Sequence, residues 1–138
     1  MDLRELETFF RSLDRSFFID NEMKRYADLD QPLPIGFGQT ISQPSLVLEM
    51  TKLLVPEKDS RVLEIGTGSG FQTAILAKMS REVYTVERIP ELMEKARKRL
   101  ESLNFSNIHY KVGDGSGGWP EYAPYDRIMV TAAAAVLP

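Results

Sequence analysis

From Arg61 to about Ala133 the chain alternates short apolar runs with helical stretches, and few folds satisfy that rhythm. RVLEIG (61–66) and EVYTVE (82–87) read as strands, NIHYKV (107–112) alternates apolar and polar residues, and YDRIMVTAA (125–133) supplies a fourth strand. Between them, Gly70 to about Met79 suits a helix with Ile75, Leu76 and Met79 inward. PELMEKARKRLESL (90–103) opens on Pro90 and repeats Leu92, Ala96, Leu100 and Leu103, which makes it the clearest helix in the chain. Strands alternating with helices of this length predict an α/β fold with right-handed crossovers and a doubly wound parallel sheet.

The part before that core has a different character. Leu3, Leu6, Phe9, Phe10 and Leu13 mark a short amphipathic helix. Pro32, Pro34, Gly36, Gly38 and Pro44 then interrupt the stretch from Phe17 to Pro44, which reads as an extended arm. Pro44 suits a first helical position, and Leu46, Val47, Met50, Leu53 and Leu54 give the helix behind it a buried face that stops near Pro56. Residues 1–43 are therefore expected to form a helix and arm, and residues 44–138 a ligand-binding domain.

LEIGTGSGF (63–71) falls on the turn that leaves the first strand, with Gly66, Gly68 and Gly70 at alternate positions. Ligands of open parallel sheets bind at the carboxyl ends of the strands, and glycine lets main chain adopt positive φ and approach a ligand closely. A tight packing turn is one reading and a dinucleotide loop another. For the latter the third glycine comes one place early, with Phe71 in the expected slot, and Glu64 would repel a pyrophosphate. A carboxylate there favours a positively charged nucleoside. Glu87 ends the second strand 21 residues after Gly66, where an acid commonly accepts ribose hydroxyls, and Asp114 in GDG (113–115) follows the third strand, placed to receive an adenine amino group. Each acid alone reads equally as a loop residue or cap; their joint placement after successive strands points to a ligand.

VLEIGTGSG, VYTVE and GDG resemble the first three motifs of class I S-adenosylmethionine-dependent methyltransferases. The resemblance implies a Rossmann-like sheet in the order 3-2-1-4, S-adenosyl-L-methionine as cofactor and S-adenosyl-L-homocysteine as product. By position, Glu64 would lie near the methionine amino group and Gly66, Thr67, Gly68, Ser69 and Gly70 under the methionine moiety. Glu87 would hold the ribose, Asp114 and Gly115 would border the adenine, and Gln43 and Arg88 would complete the cofactor contacts.

PLPIGFGQTISQP (32–44) and GDGSGGWPEYAPYDRIMVTAAA (113–134) carry the resemblance further, to the protein-L-isoaspartate O-methyltransferase family, which esterifies isoaspartyl and D-aspartyl residues of damaged proteins. It covers the chain from about Phe17 onward, and Asp30 ahead of Pro32-Leu33-Pro34 also fits. The family's active-site serine matches Ser42, with Thr40 and Ile41 beside it in the acceptor loop. Physically, Ser42 stands just ahead of a helix whose N-H groups and dipole favour an anion such as a substrate carboxylate, although a capping role is also open. The chain departs from the family pattern at Ser45, where bacterial relatives usually carry an aromatic residue, and at Asp14, in place of the proline of a Pro-Arg pair.

A carboxylate is ionised at neutral pH, so its esterification needs alignment more than a general base. His109, the single histidine, is accordingly expected to have no catalytic role. Trp119 reads as a core or loop anchor rather than a peptide contact, and Arg97, Lys98 and Arg99 as a solvated face. A net charge of -3 argues against nucleic acid as partner, and the absence of cysteine excludes disulfides and thiolate metal sites; no metal is expected. No stretch approaches the roughly 20 apolar residues of a membrane span, and the acidic amphipathic start is no secretory signal, so a cytoplasmic protein is expected. The expected partners are isoaspartyl peptides and proteins. Another peptide aspartate as acceptor, or a non-catalytic cofactor-binding module, are the competing readings. Because the chain stops after four strands where the family continues, the apolar edge of the fourth strand is expected to be covered by a second copy, or the chain to be part of a longer protein.

Overall fold

The computed structural model describes residues 1–131. Helix α1 (Leu3–Ser12) starts where the Asp2 carboxylate accepts the amides of Arg4 (3.0 Å) and Glu5 (3.1 Å), the ordinary device for satisfying a first turn. Two 3-10 turns follow, Arg15–Phe18 and Glu22–Tyr26. Asp14, the departure from the family pattern, caps the first of them by accepting the Ser16 amide at 3.0 Å.

The arm is not extended, as the density of breakers suggested. Strands β1 (Leu33–Gly36) and β2 (Gln39–Ile41) pair antiparallel in a small hairpin. Positive φ at Gly36, Phe37 and Gly38 makes the turn, so the glycines read as breakers are what close the hairpin. Helix α2 (Pro44–Leu54) then begins on the expected proline.

The main sheet contains β3 (Arg61–Ile65), β4 (Glu82–Glu87), β5 (Ile108–Val112) and β6 (Arg127–Val130). All neighbours are parallel in the order β5-β4-β3-β6, the order the resemblance implied. Helices α3 (Phe71–Met79) and α4 (Pro90–Ser102) provide the crossovers. The order reverses at β3, which places a switch point between the carboxyl ends of β3 and β6. Thr131 closes that gap, its amide donating to the Ile65 carbonyl (3.0 Å) and its hydroxyl to that of Gly66 (2.8 Å).

Strand alternation splits the core in two. Val62, Val83, Ile108 and Met129 face the helices and join Leu6, Phe18, Phe71, Ile75 and Leu100 in one large cluster. Leu63, Tyr84 and Val86 face the other way, where Trp119 and Tyr125 of the β5–β6 connection cover them. On that far side His109 stacks on Tyr84 (4.5 Å between ring centroids) and its Nε2 lies 2.8 Å from Glu82. Ile128 (57% exposed) and Val130 (46% exposed) share this side at the β6 edge. The end of the fourth predicted strand and the alanine run 132–135 lie outside the described residues.

Candidate active site

The β3–α3 loop carries positive φ at Gly66 (100°), Gly68 (56°) and Gly70 (92°), so all three glycines occupy conformations that side chains disfavour. Their surroundings separate them. A Cβ on Gly70 would meet Ala96 and Leu100 of α4 at 3.3 Å, so this glycine lets α3 pack against α4. A Cβ on Gly68 would meet nothing within 4 Å and would project into open space above the loop. The bare main chain at Gly68 is therefore not required by the protein's own packing.

Two carboxylates hold this loop. Glu87, at the end of β4 and buried, accepts the Gly68 amide on Oε1 (2.8 Å) and the Ile89 amide on Oε2 (3.0 Å). Glu64 lies wholly inside the protein. Its Oε1 accepts the hydroxyls of Thr73 (2.5 Å) and Thr85 (2.8 Å), while Oε2 has no partner among the described residues. Since Thr85 donates to Glu64, the 2.5 Å contact between Thr67 and Thr85 has Thr67 as donor, which strings a loop hydroxyl to the buried acid. Burial pushes the Glu64 carboxyl up to about 7, the two threonine hydroxyls pull it back, and the Glu87 charge adds to the rise.

The other expected residues fall along the same edge of the sheet. Ser69 is buried, its hydroxyl accepting the Phe71 amide at 3.2 Å. Its carbonyl takes a 3.0 Å bond from Arg99, which also pairs with Asp20 at 3.6 Å; Arg99 is thus not part of a solvated face but a strut under the loop. Arg88 is exposed. Asp114 is exposed at the end of β5 and turns onto Ser116, accepting its amide (2.9 Å) and hydroxyl (3.0 Å), which hold the carboxyl below its usual range. Gly115 packs so closely on the Ile65 side chain that a Cβ there would overlap it.

Ser42 stands half-buried between β2 and α2, with Thr40 exposed and Ile41 buried. The N-cap of α2 is Gln43, whose side chain makes no capping bond and instead donates to the Ser45 hydroxyl at 3.2 Å. The Ser45 amide is taken by Asp30 at 2.8 Å, and the Leu46 and Val47 amides bond to the Gln43 carbonyl. The helix end thus already holds a carboxylate, and the free N-H groups expected of it are occupied. Ser42 does not cap the helix. A cavity of about 310 Å³ has Pro44 and Phe71 in its wall together with Phe10, Asp14, Arg15 and Asp28, so α2 and α3 begin side by side at one opening. Sequence reasoning passed over Arg15, Thr73 and Thr85; a buried polar partner leaves no periodic trace.

Among the described residues no group of histidine, cysteine, aspartate and glutamate is arranged to hold a metal ion, and no helix is long and apolar enough to cross a membrane.

A protein-L-isoaspartate O-methyltransferase of Dictyoglomus thermophilum is 53% identical over 126 residues, which cover 91% of this chain and 57% of the relative. One of Myxococcus xanthus is 50% identical over 137 residues, covering 99% of this chain and 64% of the relative. The chain therefore spans somewhat more than half the length of these relatives. A Plasmodium falciparum protein-L-isoaspartate O-methyltransferase crystallised with S-adenosyl-L-homocysteine superposes with a TM-score of 0.77 at 25% identity, over 100% of this chain and 70% of that one. Residues 4–138 match the family model described as Protein-L-isoaspartate(D-aspartate) O-methyltransferase, and the chain belongs to that family.

Proposed function

We propose that this chain carries the cofactor and acceptor loops of a carboxyl methyltransferase that esterifies L-isoaspartyl and D-aspartyl residues in damaged proteins, using S-adenosyl-L-methionine. The observation that carries the reading is the Gly68 main chain, drawn to Glu87 and facing open space that the fold does not fill. The residues present fit the cofactor: bare backbone for close approach, a buried acid with an unpartnered oxygen behind it, and a second acid at the end of the neighbouring strand. When bound, S-adenosyl-L-methionine supplies a methyl group already activated on a sulfonium.

Each residue of this chain then has a defined task. Glu87 keeps lone pairs for two ribose hydroxyls while holding the loop through Gly68. Glu64, held by Thr73 and Thr85 and ionised above about pH 7, then gives the floor of the loop a negative potential that suits a cationic ligand. Asp114 and Gly115 border the adenine, Arg88 flanks the ribose edge, and Thr67 and Ser69 shape the loop from beneath. Thr40, Ile41 and Ser42 receive the acceptor, with the Ser42 hydroxyl donating to the substrate carboxylate. That carboxylate is already ionised, so the chain must align it rather than remove a proton. His109 stacks on the far side of the sheet and takes no part. The exposed Ile128 and Val130 at the β6 edge fit cover either by a second copy or by further chain, and a monomer persisting at high concentration in light scattering would refute the first of these.

Incubation with labelled S-adenosyl-L-methionine and an isoaspartyl peptide, beside its normal aspartyl twin, tests the proposal. Label on the first peptide alone is expected. Label on both would move the acceptor to aspartate in general, and binding of S-adenosyl-L-homocysteine without labelling of either would reduce the chain to a cofactor-binding module.

A further inference from the structure

Arg15 is a cation carried inside the arm, only 5% exposed. Its Nη1 donates to the carbonyls of Ala27 (3.2 Å) and Leu29 (3.1 Å), and its Nη2 to those of Gln31 (2.6 Å) and Ser42 (3.0 Å), with the Ile41 carbonyl at 3.5 Å. Nε has no partner. No described carboxylate forms an ion pair with Arg15; Asp30 is the acid that acts on it from a distance, while burial pulls its proton affinity down. A buried cation without a paired anion is costly unless dipoles replace the lost water. Here main-chain carbonyls do so, and they come from two separate places: the turn at 27–31 and the step from β2 into α2.

We propose that Arg15 is the positioning residue of the acceptor loop: by tying the carbonyls of Ile41 and Ser42 to the 27–31 turn, it fixes the main chain from which the Ser42 hydroxyl projects. This rests on the function proposed above. Asp30 completes the frame from the other side, since it belongs to the tied turn and holds the Ser45 amide at 2.8 Å. Ser42 thus lies between two anchors on one turn. The planar fork of an arginine is required, because the bonded carbonyls are divided between its two terminal nitrogens, and a lysine offers one.

The test combines turnover with amide exchange on the whole chain. Arg15→Met should lower kcat on an isoaspartyl peptide on the order of 100-fold per S-adenosyl-L-homocysteine-binding site, as a misplacement of about 1 Å does. Affinity for S-adenosyl-L-homocysteine should change less than about 3-fold, and in a Ser42→Ala background the same substitution should cost less than about 3-fold, because both residues act through one group. Equal losses in the two backgrounds would overturn the proposal. In exchange, the amides of Ser45, Leu46 and Val47 should lose about 10-fold or more of their protection while those of Gly66, Gly70 and Ala74 keep theirs. Loss spread evenly, or none at Ser45 to Val47, would equally overturn it. Arg15→Lys, which keeps the charge, gives a smaller version of both effects and serves if the methionine variant does not fold. A wild-type chain that methylates no peptide sinks the proposed function instead, and the exchange pattern then decides the role of Arg15 by itself.

Discussion

Glu64→Gln isolates the buried acid beneath the glycine loop. Burial raises the Glu64 carboxyl from 4.5 to about 7. Between those values the folded chain holds a proton that the unfolded chain has released, so wild-type stability falls as pH rises through that window and is level above it. Each tenfold change in proton affinity is worth about 1.4 kcal/mol, which makes the full swing about 3 kcal/mol. Glutamine keeps an acceptor for Thr73 and Thr85 and places its amide where Oε2 has no partner, but it cannot ionise. Relative to wild type, the variant should therefore gain about 2.5 kcal/mol on going from about pH 5, where part of the swing is already spent, to about pH 8. Urea unfolding of both proteins at the two pH values, followed by far-ultraviolet circular dichroism, reads the difference while titration of the other groups cancels. A wild-type-minus-variant difference equal at both values would mean that Glu64 does not change its charge in this range, and the electrostatic account of the loop would be wrong.

Gly68→Val places a branched side chain in the open space above the loop at a φ of 56°, so S-adenosyl-L-homocysteine binding should disappear from calorimetry while the circular dichroism spectrum persists. Gly115→Ala drives a methyl into Ile65 and should lower stability by about 1–3 kcal/mol in urea unfolding. Asp30→Ala removes the acceptor of the Ser45 amide and should lower the melting temperature at neutral pH. Hydrogen bonds from Ser45 hold the Asp30 carboxyl below its usual range, so its contribution is present above that range and lost as pH falls through the depressed value; the deficit of the variant should shrink in acid.

The four strands were legible because buried parallel strands leave apolar runs and crossover helices leave a periodic face, as Leu92, Ala96 and Leu100 do, whereas their order followed only from the family resemblance of the loop motifs. Pro44 and Pro90 announced their helices through the one position where proline costs nothing. The hairpin was hidden because Pro34 and Gly36 are signals of interruption in a sheet interior, while a two-stranded ribbon has only edges and tolerates both. Arg15 and Arg99 were hidden for another reason. A guanidinium that bonds main-chain carbonyls leaves no partner residue to notice, and position on a charged helix made Arg99 indistinguishable from Arg97 and Lys98. The acidic residues expected at the candidate site were placed by strand ends, but the threonine chain from Thr67 to Glu64 depends on cross-strand register, which only the folded sheet displays.

Trp119 is the only tryptophan, and it sits edge-on to Tyr84 (5.7 Å) and Tyr122 (5.2 Å) with the Lys111 ammonium 5.7 Å from its ring centre. Its emission is consequently an optical reporter of one side of the sheet alone. Loosening of the arm around Arg15 would leave that signal silent while altering circular dichroism, so a mismatch between the two melting curves would expose the arm as a separately cooperative unit.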